Sequence, residues 1–393
     1  MVARMVLAAE AASPRKPLTV RDVGEAFDAR HIEIRGVAAS AFDPKIWLDG
    51  TMNLVPDIRR PMLAPREGKH RNIYAPSIVR TKDGWRIYYG GWDSVDTPND
   101  RIYLADTRDF LDFTNRQTVI EHGEFQHVCN VNVTPIDHGY AMMCTAYPDA
   151  NARNKPVAFF SDDGVHWNEP ATRQRIIRID GYDRYADADI NGMNVLMFES
   201  GKYRLYFCDF HRFGKVFGAT SEDGRNFRFE ASVLDAAMMV NDVKKLHVAD
   251  ADWYLMGLHN NGPQLHYALS RDGLHFEPAK VLCEHTGDDD RYIVSIGWIT
   301  GDRAVLGFLY GAGAKGTLDQ NRIFARWLQK KAVIVTGEKR YPPTGALGPD
   351  RQVIATDQPI TGKLEWFAED GRTLLAVSEK IDLHPGRAYA VQP

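Results

Sequence analysis

Four segments of this chain end in the same way. An apolar strand is followed by Ser/Thr-x-Asp-Gly-x-x-aromatic, and the final aromatics are Phe113, Trp167, Phe227 and Phe276. The first copy carries Phe110 where the others carry Gly164, Gly224 and Gly273. The aromatics recur at intervals of about 50 to 60 residues, the period of a repeated supersecondary unit rather than of single turns. Each part of the motif has a physical reason. Ser, Thr and Asp side chains bond the turn's own backbone. Glycine takes a positive φ without steric cost. The aromatic can fold back over the unit as an apolar plug.

Upstream of each motif stand two more apolar strands joined by a short polar turn. The pairs are Pro76 to Arg80 with Trp85 to Gly91, Val131 to Ile136 with Tyr140 to Cys144, Asn194 to Phe198 with Tyr203 to Phe207, and Val243 to Val248 with Trp253 to Leu258. A fifth unit, Ile293 to Ile299, Ala304 to Leu309 and Arg322 to Trp327, lacks the Asp-Gly turn. Five units of three to four strands, with no amphipathic helix recurring between them, predict an all-β chain folded as a five-bladed β-propeller. The propeller is expected over residues 61–335, after a short N-terminal extension (1–60) and before a small C-terminal β appendage (336–393). One terminal segment should supply a missing outer strand to close the ring. A short helix is expected near Val20 to Ala29.

The strand–turn–strand–Ser-x-Asp-Gly-x-x-aromatic unit resembles that of the five-bladed propeller glycosidases. That group includes arabinanases, invertases, neoagarobiose hydrolases and mannoside phosphorylases. The resemblance spans roughly residues 60 to 330. It implies a carbohydrate site at one end of the channel, with catalytic carboxylates at the starts of innermost strands. The chain departs from individual families: Ala75-Pro76 stands where arabinanases open their first blade with Asp-Pro, and no Glu-Asp-Pro-Arg occurs.

Innermost and second strands are antiparallel, so the starts of the former meet the ends of the latter at one face. The polar residues there form a dense set. Starts of inner strands supply Asn72, Tyr74, His127, Asn130, Asn132, Asp187, Asp189, Asn191, Asn241, Asp242 and Asp288 to Arg291; ends of second strands supply Trp92, Asp93, Tyr147, Asp149, Asp209, His211, Arg212, His259, Asn260 and Tyr310. Planar polar groups bind sugar hydroxyls and aromatics cover the C–H face. Glycoside hydrolysis needs one proton donor and one base or nucleophile. Asp189, Asp242 and Asp93 are the carboxylate candidates, each with the plainer alternative of a turn-capping role. His211 and His259 occupy equivalent places in consecutive units, and imidazole suits a general acid; neoagarobiose hydrolases are thought to use one. Trp92, Asn130, Asn132, Tyr147, Asp187, Asp209, Arg212, Asn241, His259, Asn260 and Asp290 are expected to bind substrate.

The remaining composition limits partners. Net charge is −4, from 48 basic and 52 acidic residues, so there is no basic excess for nucleic acid. No apolar run reaches the ~20 residues of a membrane helix. The four cysteines are Cys129, Cys144, Cys208 and Cys283; they lie far apart with no CxxC pair, and they fit a reducing, cytoplasmic setting. No cofactor is expected. The Asp288-Asp-Asp290 run reads as solvated rather than as a metal site, although a structural cation in the channel is compatible with the architecture. The expected partner is a small carbohydrate, and a homo-oligomer is compatible with the sequence. A glycoside hydrolase is the first reading. A glycoside phosphorylase, with phosphate held by Arg212, Lys215, His211 or Arg291, and a non-catalytic sugar-binding propeller are the alternatives.

Overall fold

The computed structural model describes residues 16–25, 42–52, 54–57, 59–148, 153–167, 170–301, 303–317, 319–328, 334–336, 339–341, 345–346, 352–355, 359–367 and 374–392. The described chain is dominated by strands. Five sheets of three to five strands follow one another along the sequence, and beside them stand an eight-stranded and a two-stranded sheet. At one edge of the five sheets stand the strands His70–Thr81, His127–Ile136, Val195–Glu199, Met239–Val248 and Tyr292–Thr300. Each is the edge of an antiparallel meander. These five strands touch in cyclic order, first to second, second to third, and so on until the fifth meets the first.

Side chains bond these inner strands to one another. Ser295 Oγ accepts the Ala75 N–H (3.0 Å), Ser77 Oγ that of Val133 (2.9 Å), Asn132 Oδ1 that of Leu196 (2.9 Å) and Asp242 Oδ2 that of Trp298 (2.9 Å). All four acceptors sit where the ladder resumes after a β-bulge. A bulge adds a residue to one strand and re-aims the side chains around it. It explains how a short polar side chain comes to face the neighbouring strand. The strands also lie very close: a Cβ on Gly297 would overlap the Pro76 carbonyl of the next sheet.

The repeated turn holds the outer part together. In the second sheet Ser161 Oγ accepts the Gly164 N–H (2.9 Å), Asp163 Oδ1 accepts those of Val165 and His166 (2.8 Å each), and Trp167 is buried. The same bonds recur at Ser221–Asp223–Gly224 and Ser270–Asp272–Gly273. Gly164, Gly224 and Gly273 have φ of +70°, +70° and +73°, and Phe110 takes +61° in the copy without glycine. The turn also docks on the preceding sheet: Tyr88 Oη donates to the Gly164 carbonyl (2.6 Å) and Tyr206 Oη to that of Gly273 (2.8 Å). The motif therefore serves the contact between sheets as well as the turn.

The N-terminal segment supplies the outer strand. Leu54–Pro56 pairs antiparallel with Arg322–Leu328, completing the fifth sheet. The expected helix near Val20 is not formed. Lys16–Glu25 is a strand between Leu374–Ser378 and Arg387–Gln392, with a bulge between Asp22 and Gly24; residues 26–29 lie outside the described chain. Partners far away in sequence override its mixed local spacing. A short helix forms at Pro44–Asp49 instead, capped by the Asp43 carboxylate and closed by Gly50 at φ +67°.

Candidate functional site

Where the inner strands begin, a cavity of about 90 Å³ opens to solvent and is lined from all five sheets. Tyr74 comes from the first, Asn130 and Tyr147 from the second, and Asn191, Gly192, Met193 and Phe210 from the segments flanking the third. Met239, His259 and Asn261 come from the fourth and Val294 from the fifth. Asn130 sits in the bulge of its strand at φ +54°, a conformation asparagine tolerates better than most residues. Tyr147 Oη donates to Asn191 Oδ1 (2.6 Å), tying the second sheet to the segment before the third.

His259 is almost wholly buried, with Nδ1 2.7 Å from Asn241 Oδ1. That contact assigns the proton to Nδ1 and leaves Nε2 as an acceptor. Burial is the main cause that pushes its pKa down to about 3, with Asn261 opposing and His266 adding to the fall. The unfolded chain takes up this proton near pH 6.5, the folded one only near 3. Stability is therefore lost as pH falls through that window. His259→Asn keeps a donor for Asn241 and removes the titration. Between pH 7 and 4.5 the native protein is expected to lose about 2–3 kcal/mol more than the variant, read from urea unfolding at each pH. Parallel curves would show that His259 is charged in the folded state.

Acid–base groups adjoin the lining residues at two places. At one, His127 Nδ1 accepts the Asp100 N–H (3.1 Å) and lies 2.8 Å from Asp100 Oδ2, and the His127 ring meets Tyr147 edge-on at 5.6 Å. Asp100 Oδ1 is buried and has no hydrogen-bond partner among the described residues. At the other, Asp189 accepts the Asn154 N–H (2.9 Å) and Nδ2 (2.8 Å) on Oδ1, and its carbonyl accepts the Phe210 N–H (2.9 Å). Tyr147 lies within the field of both carboxylates. Burial chiefly raises its hydroxyl pKa, and Asp100 and Asp189 add to the rise. Tyr74 is raised by burial and then by Asp100.

The other expected residues fall elsewhere or play supporting parts. Asp93 is wholly buried, and its carboxylate is taken by Arg66 Nε (3.0 Å), Arg116 (3.1 Å) and Tyr89 Oη (2.9 Å). Asp242 is bonded by Asn132 Nδ2 (3.3 Å), Lys244 Nζ (3.1 Å) and the Trp298 N–H. Asn132 and Asp242 thus join the second, third, fourth and fifth sheets. Asp209 is buried and accepts from Tyr182 Oη (2.8 Å), His211 N–H (3.0 Å) and Asp189 N–H (3.1 Å), so it sets the loop beside the cavity. His211 is exposed, its Nδ1 2.9 Å from the Asp187 carbonyl; the Asp187 carboxylate is exposed and pairs with Arg153. Arg212 lies over the rings of Tyr182 and Phe217, and Lys215 pairs with Asp235. Asp290 is buried against Arg60 and Tyr310. Trp92 packs edge-on against His70. Asn260 is exposed and its neighbour Asn261 lines the cavity. Asp149 lies outside the described residues.

Of the residues expected at this face, then, Tyr74, Asn130, Tyr147, Asn191 and His259 meet in the cavity, with Asn241, Asp189 and Asp209 bonded to or next to its lining residues. Asp100, Phe210 and Asn261 escaped sequence reasoning. Asp100 lies between two strands in a stretch without periodicity, 27 positions before the histidine it holds.

No protein-family model matches the chain, and no curated protein matches it. Solved structures do. A candidate glycosidase from Bacteroides thetaiotaomicron is 14% identical over 74% of this chain and 99% of its own, with a TM-score of 0.52. The catalytic domain of the GH62 α-L-arabinofuranosidase of Coprinopsis cinerea is 11% identical over 71% and 97%, also at 0.52. The GH32 β-fructofuranosidase BmSUC1 of Bombyx mori is 10% identical over 84% and 89%, at 0.50. At these identities the likeness is one of fold, and the structural neighbours belong to the propeller-type glycosidases that the repeat resembles.

Proposed function

We propose that the five sheets are the blades of a five-bladed propeller and that the chain is a glycoside hydrolase acting on a small oligosaccharide or furanoside at the cavity. The observation that carries this is the lining. Three asparagines, two tyrosines, a neutral histidine and a phenylalanine converge from four of the five sheets, the fifth adds Val294, and acid–base groups adjoin these residues. Amides and hydroxyls both donate and accept, which matches vicinal sugar hydroxyls, and the phenylalanine suits a C–H face. The glycosidase neighbours support the reading at the level of fold.

In this assignment His127, held by Asp100, protonates the leaving glycosidic oxygen. Asp189 acts as base towards water or as nucleophile. Hydrolysis adds water across the glycosidic bond: its hydroxyl goes to the anomeric carbon and a proton to the leaving oxygen. Asp93 and Asp242 hold the ring together, and His211 binds substrate at the rim.

The test is turnover of 4-nitrophenyl glycosides and short oligosaccharides, with and without inorganic phosphate. Release of reducing sugar without phosphate is expected. Turnover that requires phosphate would make the enzyme a phosphorylase. A folded protein that binds sugars but turns over none of them would be a sugar-binding propeller, and the hydrolase reading would be lost.

A further inference from the structure

We infer that the Asp209–Gly214 loop is a second sugar-binding subsite, a shelf for the ring that adjoins the one in the cavity, so that the ligand is a glycan of at least two units. This rests on reading the cavity as a carbohydrate site. Among the described residues the exposed large hydrophobic side chains are Phe210, Phe213, Val281 and Leu375. Two of these four share one short loop: Phe210 and Phe213 are 36% and 53% exposed, with ring centroids 6.1 Å apart and planes at 77°. Phe210 also lines the cavity, so the shelf continues directly from it.

The exposure is imposed by a pinned backbone. Asp209 accepts the His211 N–H, the Phe210 N–H donates to the Asp189 carbonyl, and the Ala236 N–H donates to that of Gly214 (2.9 Å). Arg212, whose long side chain could cover the phenylalanines, lies back over Tyr182 and Phe217 instead. His211 lies between the two phenylalanines in sequence, and with Nδ1 on the Asp187 carbonyl its Nε2 can accept a hydrogen bond from a sugar hydroxyl. Apolar faces with a polar edge among them match a sugar, which is apolar on its C–H face and polar around its rim. Size agrees: ligand pockets commonly enclose about 300–1,000 Å³. A ligand larger than the 90 Å³ cavity extends over its rim, where Phe210 stands.

The test is ligand-observed NMR by saturation transfer, with affinities by calorimetry. The probes are cellobiose, xylobiose, sucrose, arabinobiose and mannobiose, beside the methyl glycosides of the same sugars. For the disaccharide that binds, saturation is expected on C–H protons of both rings. Phe213→Ala is expected to weaken that disaccharide about tenfold, the size of a good stacking contact, and the matching methyl glycoside by less than about twofold. Equal affinity for disaccharide and methyl glycoside, or a Phe213→Ala affinity within about twofold of native, would overturn the shelf and leave the cavity reading intact. If no sugar of either set binds the native protein, the carbohydrate reading fails and takes the shelf with it. Phe213 is over half exposed, so its removal leaves the core unchanged.

Discussion

Asp189→Asn is expected to lower kcat by about 10²–10⁴-fold, the span associated with a positioned acid or base. The substitution isolates chemistry from structure. Asp189 uses Oδ1 to accept two hydrogen bonds from Asn154, and the amide oxygen of asparagine can accept both in the same place. The loop bonds from the Asp189 backbone to Phe210 and Asp209 do not involve the side chain that changes. Thermal stability should therefore move little while turnover collapses. His127→Gln should fall in the same range, and Asp100→Asn by less, since it acts only through the orientation of His127. The control is Asp242→Asn, whose carboxylate accepts the Trp298 N–H across two sheets; it should lower stability before it lowers kcat. Full activity in Asp189→Asn would remove Asp189 from the chemistry. A large loss in Asp242→Asn at unchanged stability would move the reaction to the ring axis.

Asp290→Ala is expected to cost about 3–5 kcal/mol of folding stability, because it strips the wholly buried one of two carboxylate partners from a buried charge. The Arg60 side chain is 2% exposed and lies 2.9 Å from Asp290, itself wholly buried. The same carboxylate accepts the Tyr310 hydroxyl (2.7 Å) and the N–H groups of Thr286 and Gly287. Burial raises the Asp290 pKa, but Arg60, Gly287, Tyr310 and Thr286 outweigh it and hold the carboxyl below the usual range. Its contribution is therefore present at neutral pH and lost in acid, as pH falls through the depressed pKa. Equilibrium unfolding in urea at pH 7 measures the loss. A change below about 1 kcal/mol would mean that Asp289, the more exposed partner, holds Arg60 alone and that the network is worth no more than a surface pair.

These two aspartates show where reading a sequence stops. Both stand at starts of inner strands or just ahead of them, and the sequence offers Asp189 as a catalytic carboxylate and Asp290 as a substrate ligand. Arg60 lies about 230 positions before Asp290 and meets it only because the N-terminal segment packs against the fifth sheet. Asp93 is surrounded in the same way by Arg66 and Arg116. Asn130, Tyr147 and His259 were legible because strand period and hairpin direction dictate which residues reach one end. Asn260 misses by one residue, the amount that decides which neighbour of the strand end lines the cavity. The Asp100–His127 pair was not legible, since its members belong to different sheets.

The repeated Ser-x-Asp-Gly-x-x-aromatic motif determined by itself that the chain builds successive antiparallel sheets. Its bonds are local: side chain to backbone within five residues, closed by a residue at positive φ. Only the tertiary structure decided which terminal segment completes the fifth sheet, that Lys16–Glu25 is a strand, and which polar groups line the cavity and which face an arginine. Those outcomes depend on contacts between residues hundreds of positions apart, and local spacing carries no record of them.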